Sequence, residues 1–116
     1  MDSEAETTPR TEQIRELNDQ LRRCGRGNGS VVLTSGVQSL GDAFLAAVVR
    51  AVCEFDDFSE DNDPWGEHDF GAIEVEGQKI FFKIDYYDLS RTKGSEDPAD
   101  GLLTHRVLTI MLSSEY

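Results

Sequence analysis

Residues 61–88, DNDPWGEHDFGAIEVEGQKIFFKIDYYD, constrain the fold of this chain more than any other stretch. They hold its only Trp, together with Phe70, Phe81, Phe82, Tyr86 and Tyr87. Glu76-Gly77 reads as a two-residue hairpin turn, because glycine accepts the positive φ that such turns need. With those two residues as the loop, Ile73 faces Ile80, Gly71 faces Phe82, and Asp69 faces Ile84. On the other side Glu74 meets Lys79, Ala72 meets Phe81, Phe70 meets Lys83, and His68 meets Asp85. Opposite charges paired on one side and aliphatic partners on the other mark a half-buried antiparallel pair. A slip of one residue would send every side chain to the wrong face.

The rest of the chain is read outward from this hairpin. Ile14, Leu17, Leu21 and Cys24 recur at helical spacing, so residues 10–24 read as an amphipathic helix. Pro9 suits a helix start, and Gly25 and Gly27 stop the helix. Arg22, Arg23 and Arg26 lie at its end, where cations complement the helix dipole. The glycine-rich GRGNG turn at 25–29 precedes a strand, whereas a phosphate-binding loop follows one. Ser30 to Thr34 reads as a short buried strand, and Ser35-Gly36 as a turn. A second helix is expected over about 40–55, with Ser39 as N-cap and Leu40, Phe44, Leu45, Val48, Val49, Val52 and Phe55 as its apolar stripe. Residues 104–112 carry apolar side chains on both faces, the pattern of an interior strand. The predicted fold class is α+β: two helices on one face of a mostly antiparallel four-stranded sheet, in order α-β-α-β-β-β. Residues 1–9 are expected to form a disordered tail, and 10–116 a single domain.

Charge narrows the function classes. The net charge is −12, and residues 51–78 contain ten acids with no Lys or Arg. Direct binding to nucleic acid is disfavoured, since that contact is built from Lys and Arg against phosphate. An anionic membrane surface is disfavoured for the same reason. A basic protein surface is the partner such a charge attracts. No apolar run approaches the ~20 residues that span a bilayer. The acidic start, MDSEAETTPR, is unlike a secretory signal, so the cytoplasm is the expected compartment. There Cys24 and Cys53, with no metal-like spacing, are expected as free thiols. No cofactor is expected.

Three constellations carry possible chemistry. Asp61-Asn62-Asp63-Pro64-Trp65-Gly66 begins like a calcium loop, but Trp65 and Ala72 stand where oxygen ligands belong, so no metal site is assigned. His68, Asp69 and Asp85 form the second, since His68 beside Asp85 could orient an imidazole for acid–base or metal-assisted catalysis. No nucleophile or second base accompanies them, and a cross-strand polar pair is the simpler reading, so no catalytic residue is assigned. The third is the acid stretch itself. Asp56, Asp57, Glu60, Asp61, Asp63 and Glu67 could mimic nucleic-acid phosphates, with Phe58 and Trp65 as apolar anchors on the same surface.

The run DNDPWGEHDFGAIEVEGQKIFFKIDYYD, with RVLTIMLSSEY at the end and IRELNDQLRR…GSVVLTSGV near the start, resembles a bacterial domain family of unknown function. Its members are short acidic proteins of proteobacterial genomes, plasmids and prophages, and the resemblance covers about residues 12–116. The family has no established activity, so the resemblance implies no catalytic residue. Its mobile-element setting implies a role in the contest with host defence, where acidic inhibitors of restriction and CRISPR systems are similar in size and charge. The expectation is therefore a small acidic inhibitor of the DNA-mimic type that occupies a basic nucleic-acid-binding surface. An enzyme centred on His68, Asp69 and Asp85, or a plain interaction module, are the alternatives.

Overall fold

A computed structural model describes residues 8–116. The greater part of the expected tail therefore lies outside the described residues. Thr8 already serves as N-cap, its Oγ1 accepting from the Thr11 amide at 3.0 Å. Helix α1 spans Pro9–Cys24, with Pro9 in its first turn and Gly25 at φ 67 closing it. Strand β1 is Gly29–Leu33, α2 is a single turn at Ser35–Gln38, and α3 is Asp42–Glu54. Strands β2 (Phe70–Val75), β3 (Gln78–Tyr87) and β4 (His105–Leu112) follow, then a 3-10 turn at Ser113–Glu115. The sheet order is β1-β4-β3-β2, with β1 parallel to β4 and the other pairs antiparallel. This is an α+β fold with three helices among the described residues rather than two.

The hairpin register is the expected one from Phe70 opposite Lys83 to Val75 opposite Gln78. Glu76 at φ 52 and Gly77 at φ 83 make the turn. The Ile84 amide still donates to the Asp69 carbonyl at 2.9 Å, so the pairing runs one residue past β2. It stops at His68, whose φ of 58 turns the chain away, and the expected His68–Asp85 pair does not form. Gly71 lies under the Phe82 ring, and a Cβ there would collide with that ring.

Two further expectations are corrected. Ser35-Gly36 does not simply turn the chain but opens α2. Ser39 then closes α2, its Oγ donating to the Gly36 carbonyl at 2.8 Å, while Gly41 at φ 100 precedes α3. Ser39 has the helical backbone of a C-cap, at φ −68 and ψ −15, and lies two residues before Gly41, the residue that holds the N-cap position of α3. Strand β1 is not buried: it is an edge strand with Val31 and Val32 about half exposed. The interior place belongs to β4, as its two apolar faces indicate.

The core joins one face of the sheet to the helices. Ile80, Phe82, Ile84, Leu108 and Ile110 meet Leu21, Val37, Phe44, Val48, Val52 and Phe55. On the other face Phe70, Phe81 and Tyr116 make an aromatic trio, with ring centroids 5.2 to 5.9 Å apart. Lys83 and Asp85 pair on that face at 2.6 Å. Among the described residues no helix is long and apolar enough to cross a membrane.

Candidate functional site

Helix α1 carries one polar stripe into the protein. Asn18 and Arg22 are buried on it, one turn apart. The Arg22 Nη1 donates to the Val52 and Phe55 carbonyls, both at 2.8 Å. It therefore satisfies the C-terminal carbonyls of α3, not those of its own helix. Its Nη2 donates to Asp19 at 2.9 Å, and the guanidinium lies 5.3 Å and 5.5 Å from the Phe58 and Phe82 ring centroids. The Arg22 Nε has no hydrogen-bond partner. The adjoining aromatic rings partly offset that loss.

Asp19 continues the chain of contacts to His68, whose Nδ1–H donates to Oδ1 at 3.0 Å. The imidazole stacks on Phe58, with centroids 3.8 Å apart and planes 5° from parallel. Asp63 is buried and accepts from the His68 amide at 3.1 Å and 3.2 Å. His68 thus packs on the helix side of the sheet. Asp85 alternates with the core residues Ile84 and Tyr86 of β3 and projects from the opposite face, beside Lys83. The fold separates the two groups that an acid–base site would need together. Asp69 is half-buried, and its carboxyl is pushed above the ordinary range, first by burial and then by Glu67, with Asp63 and Asp85 adding to the effect.

A second network holds the end of the loop. Asn18 Nδ2 donates to the Glu67 carbonyl at 2.9 Å and to the Tyr86 hydroxyl at 2.8 Å. That hydroxyl donates onward to Glu67 Oε1 at 2.8 Å. Burial holds the Tyr86 hydroxyl protonated, and its bond to Glu67 works in the same direction. Arg15 Nη1 donates to the Gly66 carbonyl at 3.1 Å. Asn62 bridges the Ser59 amide and the Asp57 carbonyl, each at 2.8 Å. Loop 56–67 is therefore framed by hydrogen bonds at both ends and in the middle.

On that frame the expected partner-binding residues divide into two groups. Asp56, Asp57, Glu60, Asp61 and Trp65 face solvent, and Trp65 is 75% exposed. Phe58, Asp63 and Glu67 are turned inward or bonded to the frame. Trp65, Pro64, Glu60, Glu67 and Thr11 line a cleft of about 510 Å³. An exposed indole between two carboxylates suits an arginine or lysine side chain, through its charge and its cation–π attraction. Polarity alone hides the framing residues Asn18 and Asp19, although Asn18 stands on the apolar stripe between Ile14 and Leu21, and Arg22 reads in the sequence as a cation at the end of its own helix. Among the described residues no group of three or more His, Cys, Asp or Glu side chains is placed to hold a metal ion. Cys24 and Cys53 are free thiols.

Residues 33–115 match a family model described as "Protein of unknown function (DUF3768)". The match begins at Leu33, so α1 and nearly all of β1 precede it, whereas the resemblance drawn from the sequence began near residue 12. No curated protein and no solved structure matches the chain.

Proposed function

The chain belongs to this family of unknown function, and we propose that it is a non-catalytic acidic docking protein that occupies a basic nucleic-acid-binding surface of another protein. One observation carries the reading. Four exposed carboxylates, those of Asp56, Asp57, Glu60 and Asp61, share with exposed Trp65 a loop pinned by hydrogen bonds to α1 and β3, and Glu60 lines one cleft with the indole. Carboxylates on a rigid frame meet arginines without the ordering cost that a floppy acidic tail carries. The net charge of −12 steers a basic partner toward them. The mobile-element resemblance favours a partner in host defence, acting in the cytoplasm. An enzyme at His68 is the weaker reading, because Asp85 lies across the sheet from it.

The test uses the single tryptophan as a reporter. Its emission should shift to the blue when a partner captured from host lysate covers it. Replacing Asp56, Asp57 and Asp61 by Asn and Glu60 by Gln should lower affinity about ten-fold or more, mainly through slower association. Labelled DNA or RNA should compete with this protein for the captured partner. Simultaneous binding of both, with nucleic-acid affinity undiminished, would sink the mimic reading.

A further inference from the structure

Among the described residues two guanidinium groups are buried, and only one of them has a carboxylate within ion-pair distance. Arg22 pairs with Asp19. Arg106, at the start of β4, is 3% exposed and has no carboxylate within ion-pair distance among the described residues. Its partners are neutral: Nε donates to Asn18 Oδ1 at 2.6 Å, and Nη2 donates to the Pro98 carbonyl. Its guanidinium carbon lies 5.1 Å from the Tyr86 ring centroid. Buried charges are ordinarily paired, because removing an ion from water costs far more than a neutral acceptor returns. Burial accordingly pushes the Arg106 pKa below its ordinary value.

The unpaired charge opens onto a cavity. Arg106 lines a cleft of about 670 Å³ together with Gln13 and Leu17 of α1, Arg26 and Asn28 of the glycine-rich turn, and Leu102. Its Nη1 makes no hydrogen bond among the described residues. Arg106 lines the cleft, and Nη1 is the nitrogen of its guanidinium that remains free among the described residues to meet a ligand there. Asn28 fixes the opposite wall by donating to the Gly101 carbonyl at 2.9 Å, and its own carbonyl accepts from the Arg106 amide at 3.0 Å. Leu17 and Leu102 give the cleft apolar sides. Asp100 also lines it, with a carboxylate oxygen bonded to the Leu102 amide at 2.9 Å.

We infer that this cleft binds a metabolite-sized organic carboxylate with an apolar body, its carboxylate on Arg106 Nη1 and its body against Leu17 and Leu102. The volume lies within the range of small-molecule sites. A single negative charge fits better than a phosphate dianion, given Asp100 at the wall and the field of a strongly acidic chain. Gln13 and Leu17 lie on the flank of α1 opposite Thr11 and Arg15, roughly 200° around the helix. The cleft is therefore separate from the Trp65 surface, and the inference does not depend on the docking role.

Phenylacetate is the probe, with acetate and inorganic phosphate as comparison arms, titrated into the ¹⁵N-labelled full chain. Phenylacetate should move the Arg106 Nε–H, Gly27, Asn28 and Gly101 resonances saturably, with a Kd of about 1 mM or lower. Acetate should bind at least about ten-fold more weakly, for want of the apolar contact. Arg106→Gln removes the charge but disturbs the Asn18 network, so Leu102→Ser serves as the variant that leaves the interior intact. It should weaken phenylacetate several-fold and leave the weak acetate response unchanged. Absence of a saturable response at about 10 mM would overturn the inference. So would phosphate binding as tightly as phenylacetate, or shifts spread evenly over all arginines.

Discussion

Asp69 shows how one carboxyl can oppose the fold that contains it. It stands where the hairpin pairing ends, half-buried, with Glu67, Asp63 and Asp85 near enough to raise its pKa further. Between the ordinary carboxylate value and the raised folded one, the folded chain binds more protons than the unfolded chain. Stability therefore falls as pH rises through that window, and the penalty is fully present above it. Asp69→Asn removes the charge and keeps the size. Its melting temperature should exceed that of the parent at pH 7, and the gain should vanish below about pH 4, where the carboxyl is protonated folded or unfolded. Thermal unfolding followed by circular dichroism across that range checks both statements. An Asn variant less stable at pH 7 would show that the carboxylate's own hydrogen bonds outweigh its repulsion.

The hairpin was legible as an element because turn chemistry, charge pairing and aliphatic pairing agree on one register. Its two ends were less legible. At the open end, the positive φ of His68 breaks a pattern that the residue types alone would continue toward Asp85. At α3 the start moved because Ser39 keeps a helical backbone as the last residue of α2, and Gly41 at φ 100 takes a conformation that no capping pattern records. Inside the hairpin, Gly71 is required by the Phe82 ring that covers it. Gly71→Ala should destabilise by about 1–3 kcal/mol, the range for overpacking a filled site. In the Gly71→Ala background, Phe82→Leu should cost less than it does alone, because the smaller side chain makes room for the new methyl. Urea unfolding of the four members of that cycle measures the coupling. Strict additivity would mean that the strand pair relaxes around the methyl and that Gly71 is not held by Phe82.

Across the whole molecule, the acidic stretch was visible in the sequence, but which of its acids face outward was not. That division is made by residues far away along the chain: Asn18 and Arg15 reach the Glu67 and Gly66 carbonyls across 49 and 51 positions. The outward acids also repel one another. With a net charge of −12 and no cation within residues 51–78, compaction costs electrostatic free energy that salt screens. The Debye length falls from about 30 Å at 0.01 M salt to about 8 Å at 0.15 M, so most of this repulsion is lost over that interval. Melting temperature should therefore rise by several degrees between those two concentrations and level off beyond them. The surface ion pairs Arg10–Asp97 and Lys83–Asp85 act in the opposite sense, and exposed pairs contribute only about 0–1 kcal/mol each. The variant with Asp56, Asp57 and Asp61 changed to Asn and Glu60 to Gln carries four fewer negative charges. It should melt higher than the parent at 0.01 M salt and converge with it at high salt. If these carboxylates are retained for docking, the change that weakens partner binding strengthens the fold. A variant that lost both binding and stability would instead place the four acids in the architecture of the loop. A melting temperature that fell as salt was added would show that ion pairs, not repulsion, govern this surface.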